Sequence, residues 1–553
     1  MAEQLDLLAD LLELEGEASF RVVAYRRAAT RIRETAGSVA ELALAGRAKE
    51  LNGIGKTIEE KIVQVVEHGE MDALTKRKKI VPAEVVLFMR LPGLGPKTAA
   101  RIWHELGVTT IDELKRAAET EQLRTLTGLG AKTEERVLKA LAEKKQEPSD
   151  RCLLGDGLGA LLAVVSVLRE HPAAVEVSEA GSARRRKETF RDLDIIATAT
   201  DAGALIEYFT KLAWVIEVVA KGPSKATVLS NEGLRFDLRV VPPESYGNLL
   251  QHFTGSKDHN VALRERAVKD GLSVSEYSIT VVETGAELSY GSEAEVYERL
   301  GYQFIPPELR ENAGELEAAR KGELPTLIEL ADIKGELHCH STWSDGKNTL
   351  EQMALAARER GCAYMAITDH PRGTLAGQDV EIDRLNERLK PFVILKGIEV
   401  NIRADGSLSL PDDELAAHDW VIASIHGAFD RNPTERVLAA MDNPHVDCIG
   451  HLTARKINIR PPADIDVERV VAKAVETGTF LEINSQPNRL DVRDTHARMA
   501  GEAGVKIAVN TDAHQLRALQ HVEMGVAQAR RAWLTKEQVL NTRTWPEIKK
   551  LLK

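Results

Sequence analysis

GELHCHSTWSDG, residues 335–346, sets two histidines two positions apart behind a short apolar run and an aspartate on the turn that follows. In a strand, positions i and i+2 share a face, so His338 and His340 point the same way and Asp345 follows on the loop. The arrangement recurs downstream. AITDHP (366–371) supplies His370, GIEVN (397–401) Glu399, SIHGAF (424–429) His426, IGHLT (449–453) His451, and NTDAH (510–514) Asp512 and His514. Seven apolar runs precede these residues, at 335–337, 364–367, 392–398, 420–425, 447–449, 480–483 and 505–509; the sixth alone ends outside the set, at Asn484. Parallel strands whose C-terminal ends all present ligands are how a barrel assembles a catalytic face. Unrelated core or surface histidines would not fall at strand ends in this way. The spacing predicts a C-terminal α/β barrel carrying a multi-metal phosphoesterase site. Imidazole and carboxylate together suit Zn²⁺, Mn²⁺ or Fe²⁺.

The rest of the chain is too long for one core: 553 residues imply about three to five domains. Hydrophobic content of 43% and charged content of 29% are those of a globular protein, and no apolar run reaches membrane length. The opening MAEQLDLLADLLELEGE is acidic and helix-patterned, without the basic start of a signal peptide. Cys152, Cys339, Cys362 and Cys448 form no CxxC pair and read as reduced thiols. A cytoplasmic, nucleoid-associated monomer with no membrane partner is expected. The net charge of −12 means that DNA binding has to rest on local patches and backbone groups.

Such groups are present. Residues 1–145 are helix-patterned and contain one motif three times: LNGIGKTIEEKI (51–62), LPGLGPKTAARI (91–102) and LTGLGAKTEERV (126–137). Glycine permits a tight turn and close approach, and the free N–H groups of the helix start that follows form an anion site. Gly53, Gly55, Gly93, Gly95, Gly128 and Gly130 are therefore the expected DNA-contacting glycines. This is the helix–hairpin–helix pattern, which grips the phosphate backbone without reading bases.

A second metal signal lies in GSARRRKETFRDLDIIATAT (181–200). Asp192 and Asp194 share one face of an alternating strand, and LRFDLRVV (234–241) brings Asp237 on a neighbouring one. Carboxylates this close are suited to Mg²⁺ and costly to leave alone. Gly181, Ser182, Arg184 and Arg185 offer a turn, a hydroxyl and guanidinium forks to a triphosphate.

The pattern GSxRRxxExxxDxD with a following Arg-x-Asp strand resembles the family X DNA polymerases of the nucleotidyltransferase superfamily. The resemblance implies that Asp192, Asp194 and Asp237 hold Mg²⁺ or Mn²⁺, with Asp237 placed to activate a primer 3′-hydroxyl. It implies Ser182 and Arg185 on the β- and γ-phosphates. In LLQHFTGSKDHNVALRERA (249–267) it implies Phe253, Thr254 and Gly255 at the sugar, and Asn260 and Arg264 at the nascent base pair and template. His252 stands where many members have Tyr, so their discrimination between ribose and deoxyribose does not transfer simply. YRRAA (25–29) resembles the family's lyase domain, in which Lys61 falls at the Schiff-base position; a lysine there is otherwise a solvated side chain.

The C-terminal motifs resemble the polymerase and histidinol phosphatase (PHP) family, with all nine ligand positions filled. By that resemblance His338, His340, Glu399 and Asp512 hold one metal. Glu399 bridges to a second with His426 and His451, and Asp345, His370 and His514 hold a third. Up to three Zn²⁺, Mn²⁺ or Fe²⁺ ions are implied. Arg455, four residues past His451, is either a phosphate contact or a surface residue.

The expected architecture is multidomain α+β and α/β. It comprises a helical lyase-like domain with one hairpin (1–80), a helical domain with two hairpins (81–147), a nucleotidyltransferase palm (148–244), a thumb (245–305), a surface linker (306–333) and a distorted (β/α)7 PHP barrel (334–553). The expected activities are template-directed gap filling with dNTPs on gapped or nicked duplex, and metal-dependent 3′-end processing as a 3′–5′ exonuclease or by cutting at abasic sites. Two alternatives stay open: a structure-specific nuclease whose polymerase half only grips DNA, and a small-molecule phosphatase fused to a DNA-binding module.

Overall fold

The computed structural model describes residues 1–552 except 18, 36–38, 83, 90, 92–93, 143–150 and 372–375. Two compact units emerge, Met1–Pro148 and Ser149–Lys553.

The first unit is helical, as its periodicity predicts. Ala2–Leu14, Ser19–Glu34, Lys56–His68, Pro96–Leu106, Ile111–Glu119 and Ala131–Ala142 are its longer helices. Leu5, Leu8, Ile58, Ile62, Ala99, Ile102 and Val137 belong to one continuous core, so residues on both sides of position 80 share it. The first and third hairpins are built alike. Buried Glu59 accepts from the N–H of Lys49 at 3.0 Å, and buried Glu134 accepts from the N–H of Arg124 at 3.0 Å, across the same ten-residue span. Each carboxylate satisfies an otherwise orphaned donor before the hairpin turn.

The second unit begins with a five-stranded sheet. Its spatial order is Ala174–Glu179, Asp192–Ala199, Arg235–Val241, Lys225–Ser230 and Val215–Lys221. Leu193, Ile195, Phe236 and Leu238 face a core shared with the helices Leu154–Arg169 and Ala202–Thr210. Period-two alternation then forces the aspartates to the opposite face. The helices Tyr246–Thr254, Lys257–Lys269 and Glu293–Arg299, with three short antiparallel strands, form the next cluster.

The segment 306–333 corrects the expectation of a surface linker. Leu309, Arg310, Glu315, Ala319, Leu327 and Ile328 are all buried. Leu309, Ala319 and Leu327 complete the core of Leu263, Val296 and Tyr297, while Ile328 enters the barrel's core. Its charges are paired inward: Arg310 with Glu293, and Glu315 with His259 at 2.6 Å.

The barrel follows chain order. Gly335–Cys339, Tyr364–Ile367, Val393–Asn401, Trp420–Ser424, Cys448–Ile449, Phe480–Asn484 and Ile507–Asn510 pair in parallel, each with the next. A bridge from Cys339 to Ala513 brings the last strand back to the first. The helix Val467–Thr477 shows why the covering helices form. Asp466 caps it by accepting from the N–H of Arg469, and Val467, Val470, Val471 and Ala474 make the buried stripe. The seven strand ends therefore open on one side, as the spacing predicts.

Candidate active sites

All nine barrel residues converge at those strand ends. Among the described residues, three groups bring candidate ligand atoms within 4.8 Å of one another: His338–His340–Glu399–Asp512, His340–Asp345–His370–His514, and His370–Glu399–His426. His451 joins them through Nε2, 3.1 Å from Glu399 Oε1. The grouping differs from the expected one in two respects. His340 also belongs with Asp345 and His514, and His370 lies between clusters, with Nδ1 at 3.5 Å from Glu399 and Nε2 at 3.9 Å from Asp345. Glu399 is the common member of two groups and the contact of His451.

The chemistry of these residues fits divalent cations. Nε2 of His338, both nitrogens of His340, Nδ1 of His370 and Oε1 of Glu399 are buried without a hydrogen-bond partner. Buried polar atoms are normally satisfied, and a neutral imidazole keeps one lone pair, so orphans concentrated here leave at least one acceptor on each ring and the carboxylate oxygen open to a cation. Burial alone would raise Glu399, but the imidazoles of His338, His426 and His451 hold its carboxyl well below the usual range. His451 and Asp512 both have positive φ, 24° and 50°, a conformation rare outside glycine and concentrated at functional sites.

Sequence reasoning missed the layer behind these ligands. His338 Nδ1 lies 2.6 Å from Glu482 Oε1, both fully buried. Asn510 donates to the same carboxylate at 3.0 Å, Asn484 donates to Asp512 at 3.0 Å, and Asn401 meets His426 Nδ1 at 2.6 Å. A partner on one imidazole nitrogen fixes which nitrogen is free to bind metal. The signal was present: Glu482 interrupts an otherwise apolar strand two residues before Asn484. Glu482→Gln should weaken metal retention and the barrel's phosphoester hydrolysis by about 10–100-fold without unfolding the barrel. Metal content after gel filtration, measured with the rate, checks this.

Arg455 is neither a surface residue nor a phosphate contact. Its buried guanidinium donates to Glu188 at 2.6 and 3.3 Å and to the Leu490 carbonyl. It joins the barrel to the turn preceding Asp192.

On the palm, parallel register sets Asp194 directly beside Asp237, with Asp192 opposite Arg235. Burial, then Asp237 and Asp192, push the Asp194 carboxyl up to about 7. The carboxylates of Asp192 and Asp237 are bridged by Arg235 Nε, 3.3 and 3.4 Å away. The three acids do not form a group as tight as those of the barrel. Like charges held side by side make a cation a favourable addition, so the donor set fits Mg²⁺ or Mn²⁺.

Gly181 explains how the turn it opens meets this face. Its φ is +64°, and a Cβ there would lie 2.0 Å from Asp194 Oδ2. Gly181→Ala should displace Asp194 and strain the turn at once, a backbone cost of about 1–2 kcal/mol. Nucleotide incorporation should fall sharply while barrel hydrolysis continues; parallel assays of both activities test it.

The remaining sequence candidates fall on the same turn and its support. Arg184 pairs with Glu293 at 2.7 Å and donates to Thr254 Oγ1 at 2.7 Å. Arg185 donates through Nε to Glu311 at 3.0 Å and through Nη1 to the Thr254 carbonyl at 2.8 Å. Ser182 is half-buried beside it. Phe253 lies under the Arg239 guanidinium, 4.4 Å from its ring centre. Asn260 braces the turn from behind, donating to the His252 carbonyl at 2.7 Å and the Gly255 carbonyl at 3.3 Å. A Cβ on Gly255 would lie 2.5 Å from Asn260 Oδ1. Arg264 is exposed and returns Nε to the Asn260 carbonyl at 3.2 Å.

In the first unit, Gly53, Gly55, Gly95, Gly128 and Gly130 are exposed, and Gly93 lies outside the described residues. Gly53 and Gly128 have φ of +89° and +90°, as the hairpin turn requires. Lys56–His68 and Pro96–Leu106 start at Gly55 and Gly95 with no side-chain cap, which leaves the first-turn N–H groups of Lys56 and Thr57, and of Lys97 and Thr98 after the proline, without a side-chain partner. Lys61 lines a groove with Arg21, Lys49, Lys56, Lys76 and Arg77.

Comparison with known proteins places these parts together. Family models match as a helix–hairpin–helix domain (residues 1–71), a SAM-like helix–hairpin–helix tandem (85–143), the DNA polymerase beta thumb (249–311) and the PHP domain (336–486). The DNA polymerase/3′-5′ exonuclease PolX of Bacillus subtilis (strain 168) is 38% identical over 564 aligned positions, covering 99% of this chain and 98% of that protein. A probable phosphatase of Thermoanaerobacter sp. (strain X514) is 34% identical over 227 positions, 37% of this chain and 89% of the relative. One from Caldicellulosiruptor bescii is 30% identical over 202 positions, 33% of this chain and 80% of its own. With helical hairpins, polymerase thumb and PHP barrel on one chain, matched end to end, the protein belongs to the PolX family of DNA polymerase/3′-5′ exonucleases.

Proposed function

We propose that this chain fills short gaps in duplex DNA by template-directed addition of dNTPs and trims or unblocks 3′ ends in its barrel, as a step of base excision repair. The observation that carries the reading is the joint presence, on one chain, of the Asp194–Asp237 register and the converging barrel ligands, in a protein similar over its whole length to a polymerase/exonuclease. The phosphatase relatives correspond to little more than a third of the chain, which favours a DNA enzyme over a small-molecule phosphatase.

Asp192, Asp194 and Asp237 would hold Mg²⁺ or Mn²⁺, and the nine barrel residues up to three Zn²⁺, Mn²⁺ or Fe²⁺. When bound, such cations acidify the attacking hydroxyl or water and neutralise charge on the phosphate oxygens. The chain supplies position. Asp237 accepts the proton of the primer 3′-hydroxyl. Ser182 and the remaining Nη2 of Arg185 hold the β- and γ-phosphates. Phe253, Thr254 and Gly255 seat the sugar, with Asn260 shaping that turn and Arg264 reaching the template. The open N–H groups of the hairpins hold backbone phosphates without reading sequence. Lys61, among its cationic neighbours, is the amine we assign to 5′-sugar removal.

A labelled one-nucleotide-gapped duplex tests this. With the complementary dNTP and Mg²⁺ or Mn²⁺ the primer should lengthen by one; without dNTP it should shorten. A chelator should stop both. A chain that neither lengthens nor shortens the primer with any of these metals would refute the reading.

A further inference from the structure

The barrel helix Val522–Arg531 ends in two arginines that leave the barrel. Arg530 donates to Glu308 at 2.7 Å and to the Ile328 carbonyl at 2.9 Å. Arg531 goes further and reaches the nucleotide turn itself. Its Nη1 donates to the backbone carbonyl of Arg185 at 2.9 Å and to Glu311 Oε1 at 3.0 Å, and its Nη2 is tied to Asp494 Oδ2 at 2.6 Å. The side chain is 3% exposed. The same oxygen, Glu311 Oε1, accepts Nε of Arg185. Lys187, two residues on, lies 3.6 Å from that oxygen as well.

We propose that Arg531, a residue of the barrel, is a positioning residue for the polymerase reaction: through the carbonyl of Arg185 and the shared Glu311 it fixes the guanidinium that receives the nucleotide's phosphates. The proposal rests on the assignment of Arg185 to those phosphates. Two contacts set that side chain, and a third sets its backbone. The bond to the Thr254 carbonyl lies within the polymerase half. The Nε bond leads to Arg531 through Glu311, and Arg531 itself donates to the backbone carbonyl of Arg185. With Nε and Nη1 committed, only Nη2 of Arg185 makes no hydrogen bond among the described residues. A fork with one free arm binds phosphate well only if its plane is held, and a displacement of about 1 Å can cost on the order of 100-fold. Burial would push the Glu311 carboxyl up, yet Lys187, Arg185 and Arg531 hold it at about 2, so it stays an ionised relay. Lysine at 531 keeps the charge but cannot serve Asp494, Glu311 and a backbone carbonyl in one plane.

The test is steady-state gap filling by the full chain, with KM for dNTP and kcat determined separately. Arg531→Lys should raise KM about 10-fold with kcat within about 3-fold, and 3′ trimming should keep its wild-type rate. Glu311→Gln, which changes no volume, should raise KM in the same direction and serves if the first variant folds poorly. Arg185→Lys should raise KM too, and adding Arg531→Lys to it should change little, because the two act on one contact. Unchanged KM in folded Arg531→Lys or Glu311→Gln, while Arg185→Lys raises it, overturns the positioning role alone. Fully multiplicative effects of the two lysine substitutions also overturn it. Unchanged KM in Arg185→Lys removes the phosphate assignment and the inference with it.

Discussion

Replacing Asp192 and Asp194 together by alanine should lower primer extension on gapped DNA by on the order of 10³-fold or more, with 3′ shortening of the same duplex retained. Phosphoryl transfer asks little covalent chemistry of a protein, so alignment and charge carry most of the rate. In the proposed site the two aspartates would supply much of that charge, and the arginines of the neighbouring strand could not replace it: Arg235 and Arg239 are cations. The stability outcome is as diagnostic as the kinetic one. Asp194 is a buried carboxylate beside two others, pushed up to about 7 by burial and their charge. In chelator its removal relieves repulsion, so the double variant should melt no lower than wild type. Function kept at a cost in stability is the usual pattern for such sites. Equal extension by variant and wild type would leave the polymerase half as a DNA grip, the structure-specific nuclease alternative.

The two catalytic faces were legible for a local reason. A strand end is a run of a few residues, and its period of two fixes which side chains share a face. His338 and His340, Asp192 and Asp194, and the alternation of 234–241 could all be read without tertiary information. The glycine hairpins were legible for the same reason, since φ and the helix start are local properties. What escaped was set at long range. Arg455 and Glu188 are separated by 267 residues, and Arg531 and Arg185 by 346. Nothing periodic marks such pairs, so Arg455 read as a phosphate contact or surface residue and Arg185 as a free fork. Segment 306–333 misled because its charges are frequent. Arg310 and Glu315 resemble solvated residues until their buried partners, Glu293 and His259, are in view. Glu482 was a different failure. The ligand signal sits at the final residues of each strand, whereas Glu482, one inward position earlier, holds a partner of His338.

Glu399→Gln should remove 3′–5′ exonuclease activity by on the order of 10³-fold while leaving dNTP incorporation within a factor of about two. The substitution is nearly isosteric, so the effect is one of charge and not of packing. Glu399 is 1% exposed and lies at 3.1–3.5 Å from one nitrogen of each of His338, His340, His370, His426 and His451. Asp512 meets the same Nε2 atoms of His338 and His340 that Glu399 meets, at 3.6 and 3.2 Å. An amide at 399 would leave Asp512 as the one buried carboxylate facing the Nε2 atoms of His338 and His340, with Glu482 behind them on Nδ1 of His338, and a divalent cation added there would meet one less negative charge at the point two groups share. Loss of His514 or Asp345 should be milder, because both are partly exposed and belong to one group only. The comparison orders the sites: metal content should fall most in Glu399→Gln, and activity should follow it. Had the barrel served only to brace the fold, Glu399→Gln would shift the melting temperature without touching the exonuclease rate. Retention of that rate, with metal content unchanged, would exclude Glu399 as the shared ligand.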